Sequence, residues 1–190
     1  MTFQGKPYQP FRKVIHYILI FVLLNEIVNP SNKNGEILLF DEHIYRFMYA
    51  ALMEAEYAAE AGEVPVGAVV VYENQIIGRG YNQTIQLNDP TAHAEMIAIT
   101  AAANYLGNQR LEDCDLFVTL EPCLMCSGAI IHARLRSLYF AAFDPKAGAC
   151  GSLYNIPADQ RLNHSLPVYS GVLEKESTEM LKQFFKLKRK

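Results

Sequence analysis

The chain has 190 residues, a net charge of −3 from 17 Lys and Arg against 20 Asp and Glu, and a hydrophobic fraction of 51%. That length can bury one full core, and the apolar content excludes a disordered chain. The acidic balance excludes indiscriminate nucleic-acid binding through an all-basic surface, though not a local basic patch. Four cysteines, two of them in one Cys-x-x-Cys, are too few for a disulfide scaffold of this size. They suit a reducing, cytoplasmic setting with metal-bound thiolates.

The first forty residues read differently from the rest. Arg12 and Lys13 precede an apolar run from Val14 to Leu24, broken only by His16, in the manner of a secretory signal. No small-x-small cleavage site follows, and the run is too short to cross roughly 30 Å of hydrocarbon as a helix. Residues 1–36 are expected to be an appended extension; an extra packed helix and a targeting or membrane-surface role are the alternatives. No membrane partner is expected, and the working domain is expected over residues 37–190.

Asp41 can cap a helix starting at Glu42, in which Ile44, Phe47, Met48, Ala51, Leu52 and Ala55 recur at threes and fours. Gly62 is its expected stop. Val64 to Tyr72 and Gln75 to Tyr81 read as strands joined by a Glu73-Asn74 turn, hence an antiparallel hairpin. After a polar loop from Asn82 to Pro90, Thr91 can cap a helix that carries His93 and Glu95, shows an apolar face at Ile97, Ala98, Ala101 and Leu106, and ends at Gly107. Asp115 to Leu120 is a third strand, Pro122 fits a helix's first turn, and a helix from Cys123 to about Ala133 leads to a fourth strand, Ser137 to Ala142. Strand, helix and strand imply a parallel crossover. A small-residue loop from Asp144 to Ser152, a short strand near Val168 and a helix from about Val172 to Lys188 complete an α/β layered domain on a mixed sheet.

His93-Ala94-Glu95 and Pro122-Cys123-Leu124-Met125-Cys126 carry the chemistry. One imidazole and two thiols are three zinc ligands, and catalytic zinc sites keep three protein ligands and an open position. Cys123 and Cys126 share a helix face at a helix start, where the dipole favours thiolate. Glu95 is then spare, and is the general acid/base. Zinc acidifies water from about 15.7 towards about 7, so a nucleophile exists at neutral pH. The reaction class is hydrolytic deamination of an amino-substituted heterocycle. Alone, His-x-Glu is common by chance, and a buried histidine beside an unrelated Cys pair is its bland reading. A closed structural site lacks a fourth ligand, since Cys114 and Cys150 lie off the Cys-x-x-Cys helix, and a redox pair would leave His93 idle.

The pattern resembles that of zinc nucleobase deaminases. More closely, the chain resembles the bacterial tRNA-specific adenosine deaminases of the cytidine and deoxycytidylate deaminase superfamily. The likeness runs over Glu63 to Ala68, Asp89 to Glu95, Val118 to Cys123, Asp144-Pro145-Lys146, Gly151-Ser152-Leu153 and Phe184-Phe185. It implies a three-layer α-β-α cytidine deaminase-like fold with a mixed five-stranded sheet, one zinc ion per subunit, a homodimer, and conversion of the wobble adenosine of a tRNA anticodon loop to inosine. By position, it implies that His93, Cys123 and Cys126 hold zinc and that Glu95 shuttles protons. It also implies that Asn82 hydrogen-bonds the flipped nucleotide, and that Asp144 and Lys146 lie in a loop contacting its neighbours. A free-base or nucleoside deaminase of guanine or cytosine type is the competing expectation, because it shares the zinc site.

The C-terminal residues Lys182, Lys186, Lys188, Arg189 and Lys190 surround Phe184-Phe185. Such a tail can meet phosphates and stack on unpaired bases, or it can be a packed helix end that complements its dipole. His16, His43, His132 and His164 have no partner at ligand spacing and are expected to be packed or solvated.

Overall fold

The computed structural model describes residues 40–189, so the expectations for residues 1–36, and for a domain start near Ile37, lie outside the described residues. Helix α1, Glu42–Glu60, buries Ile44, Phe47, Met48, Ala51, Leu52 and Ala55, the stripe its periodicity predicted. Asp41 occupies the N-cap but makes no side-chain capping bond. The helix ends at Ala61, and Gly62 follows with φ +80°, turning the chain towards the sheet.

Strand β1, Gly67–Tyr72, begins three residues later than the apolar run suggested. Pro65 has no N–H to donate to a ladder, which keeps Val64–Val66 out of it. Glu73 and Asn74 both take positive φ, +45° and +63°, the geometry of a tight two-residue hairpin. Strand β2, Gln75–Tyr81, runs antiparallel to β1 with a register irregularity between Val70 and Val71. Strand β3, Cys114–Leu120, is antiparallel to β1. Strands β4, Ser137–Ala142, and β5, Val168–Ser170, continue parallel to it, giving the order β2-β1-β3-β4-β5.

Side chains alternate across this sheet. Ala68, Val70, Leu116, Val118, Leu138 and Phe140 face one core, shared with helices α2 (Ala94–Leu106) and α3 (Leu124–Ala133). Val69, Val71, Phe117 and Ala141 face the other, shared with α1. Helix α4, Glu174–Lys188, packs Met180 against Leu52 and Ala55 on the α1 side. The architecture is therefore the expected α-β-α sandwich around a mixed five-stranded sheet. A 3₁₀ turn at Ile156–Ala158 is an addition that no periodicity signals. No helix among the described residues is long and apolar enough to cross a membrane.

Helix α2 lies directly on β2. A Cβ at Gly78 would sit 2.3 Å from the Ala98 carbonyl oxygen, and one at Gly80 would sit 2.4 Å from that of Ala94. The buried stripe is consequently Ala94, Ala98 and Ala102, and Ile97 and Ala101 are only half-buried. Periodicity missed this rotation because the helix is apolar nearly all round. Gly80 thus sets the seat of the helix start that carries His93 and Glu95. Gly80→Ala is expected to destabilise the fold by about 1–3 kcal/mol in chemical denaturation, as overpacking against backbone does. Gly128→Ala in α3, where nothing lies within 4 Å of the added carbon, is the control. It is expected to be neutral or to stabilise by about 0.5–1 kcal/mol.

Candidate metal centre

Helices α2 and α3 start side by side, and each start contributes its N-cap residue. His93, not Thr91, caps α2, in extended conformation with φ −77° and ψ 154°. Thr91 is used elsewhere: its N–H and Oγ1–H both donate to Asp89 Oδ1, at 2.7 Å each. Cys123, expected inside the first turn, is likewise the N-cap of α3, with φ −74° and ψ 176°, and Pro122 precedes it. Cys126 lies in the first turn and is fully buried. His93 is extended while Ala94 and Glu95 are helical, so the spacing rule of a regular helix does not govern the 93/95 pair. The Glu95 carboxylate lies close enough to His93 and Cys126 to interact with both despite a spacing unsuited to a regular helix.

His93 Nδ1 lies 3.8 Å from Cys123 Sγ and 3.6 Å from Cys126 Sγ. One donor atom from each of the three residues lies within 4.8 Å of the others, and this is the one such cluster among the described residues. A tetrahedral zinc with bonds of ~2.3 Å to sulfur and ~2.0 Å to nitrogen needs nitrogen–sulfur edges of roughly 3.6 Å. The donor set fits that ion in both spacing and softness. Glu95 is 4% exposed and lies outside the cluster, leaving its carboxylate beside the site.

The electrostatics set the two sulfurs apart: Cys123 is poised to lose its proton and Cys126 to keep it. A hydrogen bond from Cys126, helped by His93, holds the Cys123 thiol far below its ordinary range. The hydrogen bond to Cys123 and burial push Cys126 upwards. The hydrogen bond to Cys123 raises His93, against the opposing effect of burial. Burial raises Glu95. The other two cysteines are ordinary buried thiols, pushed by burial to about 11 at Cys114 and about 12 at Cys150.

Asn82 follows β2 and is 9% exposed. Its Oδ1 accepts the Ala94 N–H at 2.9 Å, satisfying the first orphan donor of α2. The amide nitrogen is therefore the end of Asn82 that can donate elsewhere. Asp144 Oδ1 accepts the N–H groups of Lys146 and Ala147, and the Lys146 side chain is exposed. That loop lies against the centre: Gly148 pairs with Cys123, and Ala149 N–H donates to Pro122 O.

Two further buried acids have no assigned role in the sequence beyond lying in stretches that match the family. Glu63 accepts from Thr84 Oγ1 and from the N–H groups of Ile85 and Gln86. Glu121 accepts from the N–H groups of Asp144, Cys150 and Ser152 and from Ser152 Oγ. Burial alone would raise Glu121, but these donors outweigh it and hold the carboxyl below its ordinary range. Their visible signal is an acid set against an apolar run, Leu120-Glu121-Pro122 and Glu63-Val64-Pro65-Val66. Phe184 and Phe185 divide between the two readings of the basic tail: Phe184 is buried and Phe185 is 44% exposed. His164 bonds the Leu135 carbonyl, a structural use.

The model of the cytidine and deoxycytidylate deaminase zinc-binding region matches residues 41–142. The tRNA-specific adenosine deaminase of Agrobacterium fabrum is 50% identical over 143 residues, covering 75% of this chain and 94% of the relative. That of Haemophilus influenzae is 48% identical, covering 79% and 86%. A solved structure from studies of A-to-I editing by deaminases at the wobble position of transfer RNA superposes with a TM-score of 0.70. It is 49% identical and covers 72% of this chain and 99% of its own. A guanine deaminase from Nitrosomonas europaea, 24% identical with a TM-score of 0.62, covers 84% of this chain and 97% of its own, and shows the shared fold. The chain belongs to the zinc-binding cytidine and deoxycytidylate deaminase family, in the branch of the tRNA-specific adenosine deaminases.

Purified protein is expected to carry one zinc ion per chain by elemental mass spectrometry. Cys126→Ala is expected to lose it, and Cys114→Ala to keep it. Equal zinc content in the two variants would contradict this ligand set.

Proposed function

We propose that this protein deaminates adenosine to inosine hydrolytically at the wobble position of a tRNA anticodon, using His93, Cys123 and Cys126 to hold zinc and Glu95 to move protons. The observation that carries the reading is the meeting of three zinc-type donors at two helix starts, with a buried carboxylate beside them and outside their cluster. Zinc held there supplies a nucleophile from water at neutral pH. Glu95 accepts the proton of that water on its carboxylate and delivers it to the ring nitrogen next to the amine-bearing carbon. It then assists the departing amine to leave as ammonia, so that adenosine and water become inosine and ammonia. Burial, which favours the protonated acid, suits a group that must hold and return a proton.

Asn82, its oxygen engaged by Ala94, offers the amide N–H to the nucleotide that enters the site. Asp144 and Lys146 stand on the loop paired with Cys123, which supports a role for them in contacting the flanking anticodon nucleotides. A groove of about 390 Å³, lined by Phe143, Leu181, Lys182, Phe185, Lys186 and Arg189, supports an RNA substrate over a free base. It combines cations for phosphates with an exposed ring for stacking. A looped-out anticodon nucleotide is already unpaired, so presenting it costs less than opening a duplex. We further propose a homodimer working in the cytoplasm, with residues 37–190 as the deaminase domain and 1–36 as an extension.

Incubation with an anticodon stem-loop, followed by nucleoside analysis, is expected to release inosine, and a chelator to abolish it. Guanine and cytosine are expected to be left intact; their deamination with the stem-loop untouched would favour the free-base alternative. Glu95→Gln is expected to retain zinc and fold but lose about a hundred- to ten-thousand-fold in turnover. Replacing Lys182 and Lys186 together with Gln is expected to weaken stem-loop binding and flatten its log–log salt dependence by about 0.7 for each phosphate no longer neutralised.

A further inference from the structure

Glu63 and Glu121 are the most deeply buried acids among the described residues, at 1% and 3% exposure, and neither is in a salt bridge there. A buried charge without a cation has to be held by donors. Both carboxylates take those donors from loops rather than from neighbouring helices or strands. Glu63 Oε1 accepts Ile85 N–H and Gln86 N–H at 2.8 Å each, and its Oε2 accepts Thr84 Oγ1 at 3.1 Å. Glu121 Oε1 accepts Cys150 N–H at 3.0 Å and Ser152 N–H at 2.9 Å. Its Oε2 accepts Asp144 N–H at 3.0 Å and the Ser152 hydroxyl.

The two loops so held flank the metal centre. Residues 83–92 connect Asn82 to His93, and residues 144–152 lie on Cys123 through the Gly148 pairing. The fit at Glu121 leaves no slack, since a Cβ on Gly148 would stand 2.3 Å from its Oε2. An apolar residue of similar volume at either position would leave those loop donors without an acceptor, so what places a charge there is the set of loop groups it holds. A carboxylate does what an apolar side chain cannot: it gathers several backbone N–H groups of one loop onto two oxygens and fixes their spacing.

We infer that Glu63 and Glu121 are positioning residues, each holding one of the two loops between which the RNA is received. The inference rests on the deaminase reading above. It predicts that loosening either loop weakens substrate capture more than the chemical step.

The test compares full-length wild type with Glu63→Gln, Glu121→Gln and Ser152→Ala, each assayed for zinc content, steady-state kinetics on an anticodon stem-loop and amide hydrogen exchange. Glutamine keeps the shape but turns an N–H donor towards the loop's own donors. Glu63→Gln and Glu121→Gln are each expected to raise KM about tenfold or more, as lost bonds to a charged group do, while kcat falls less than about threefold and zinc stays at one per chain. Exchange should quicken at Ile85 and Gln86 in the first variant, and at Cys150 and Ser152 in the second. Ser152→Ala, which removes one donor, should move KM in the same direction by less, and serves should Glu121→Gln fail to fold. Unchanged KM in the glutamine variants, unchanged exchange in the loops, or a loss of kcat with zinc at constant KM would overturn the inference. A wild type inactive on the stem-loop would contradict the deaminase reading instead, and the exchange rates would still decide whether each carboxylate holds its loop.

Discussion

The structure depends on bringing the starts of two helices to one point. His93 and Cys123 are both N-cap residues in extended conformation, and Cys126 stands in the first turn of the second helix. Free N–H groups and the positive ends of two dipoles therefore face the same small volume. Two thiolates and a divalent cation sum to neutrality, so negative charge that develops there during reaction is met by fixed dipoles without reorganisation. Burial of Cys126 and Glu95 keeps the surroundings of low polarity and strengthens each of these effects.

The sheet supplies the rigidity that this convergence needs. Helix α2 sits on the bare backbone of Gly78 and Gly80, and α3 bridges the parallel pair β3 and β4. Asn82 links the end of β2 to the start of α2 through its bond to Ala94, so the histidine is fixed from both sides. Polar groups are sparse in this interior and nearly all are committed: Thr119 Oγ1 accepts Gly67 N–H, and Ser177 donates to the Thr119 carbonyl. Few degrees of freedom are left with which the ligands could drift.

Much of this was legible in the sequence because the signals were local. The α1 stripe, the Glu73-Asn74 hairpin and the Gly107 stop each follow from a period or a turn preference within a few residues. The grouping of His93, Cys123 and Cys126 was legible because softness and spacing restrict the alternatives. What escaped depended on contacts distant in sequence. The alanine face of α2 is chosen by glycines on β2, and the late start of β1 by one missing N–H at Pro65. His93 and Cys123 were expected inside first helical turns, yet they are the N-cap residues; at α2, Asn82 accepts the Ala94 N–H, and Thr91, which was expected to cap, donates to Asp89 instead. Glu63 and Glu121 carried no motif of their own: a buried carboxylate is recognised by its donors, and those lie more than twenty residues away.

X-ray absorption at the zinc edge of the purified protein is the most direct measurement of this centre. The account predicts two sulfur neighbours near ~2.3 Å, one nitrogen near ~2.0 Å and one light, exchangeable neighbour supplied by solvent. A fourth protein ligand closing the shell, or a shell with no sulfur, would contradict it.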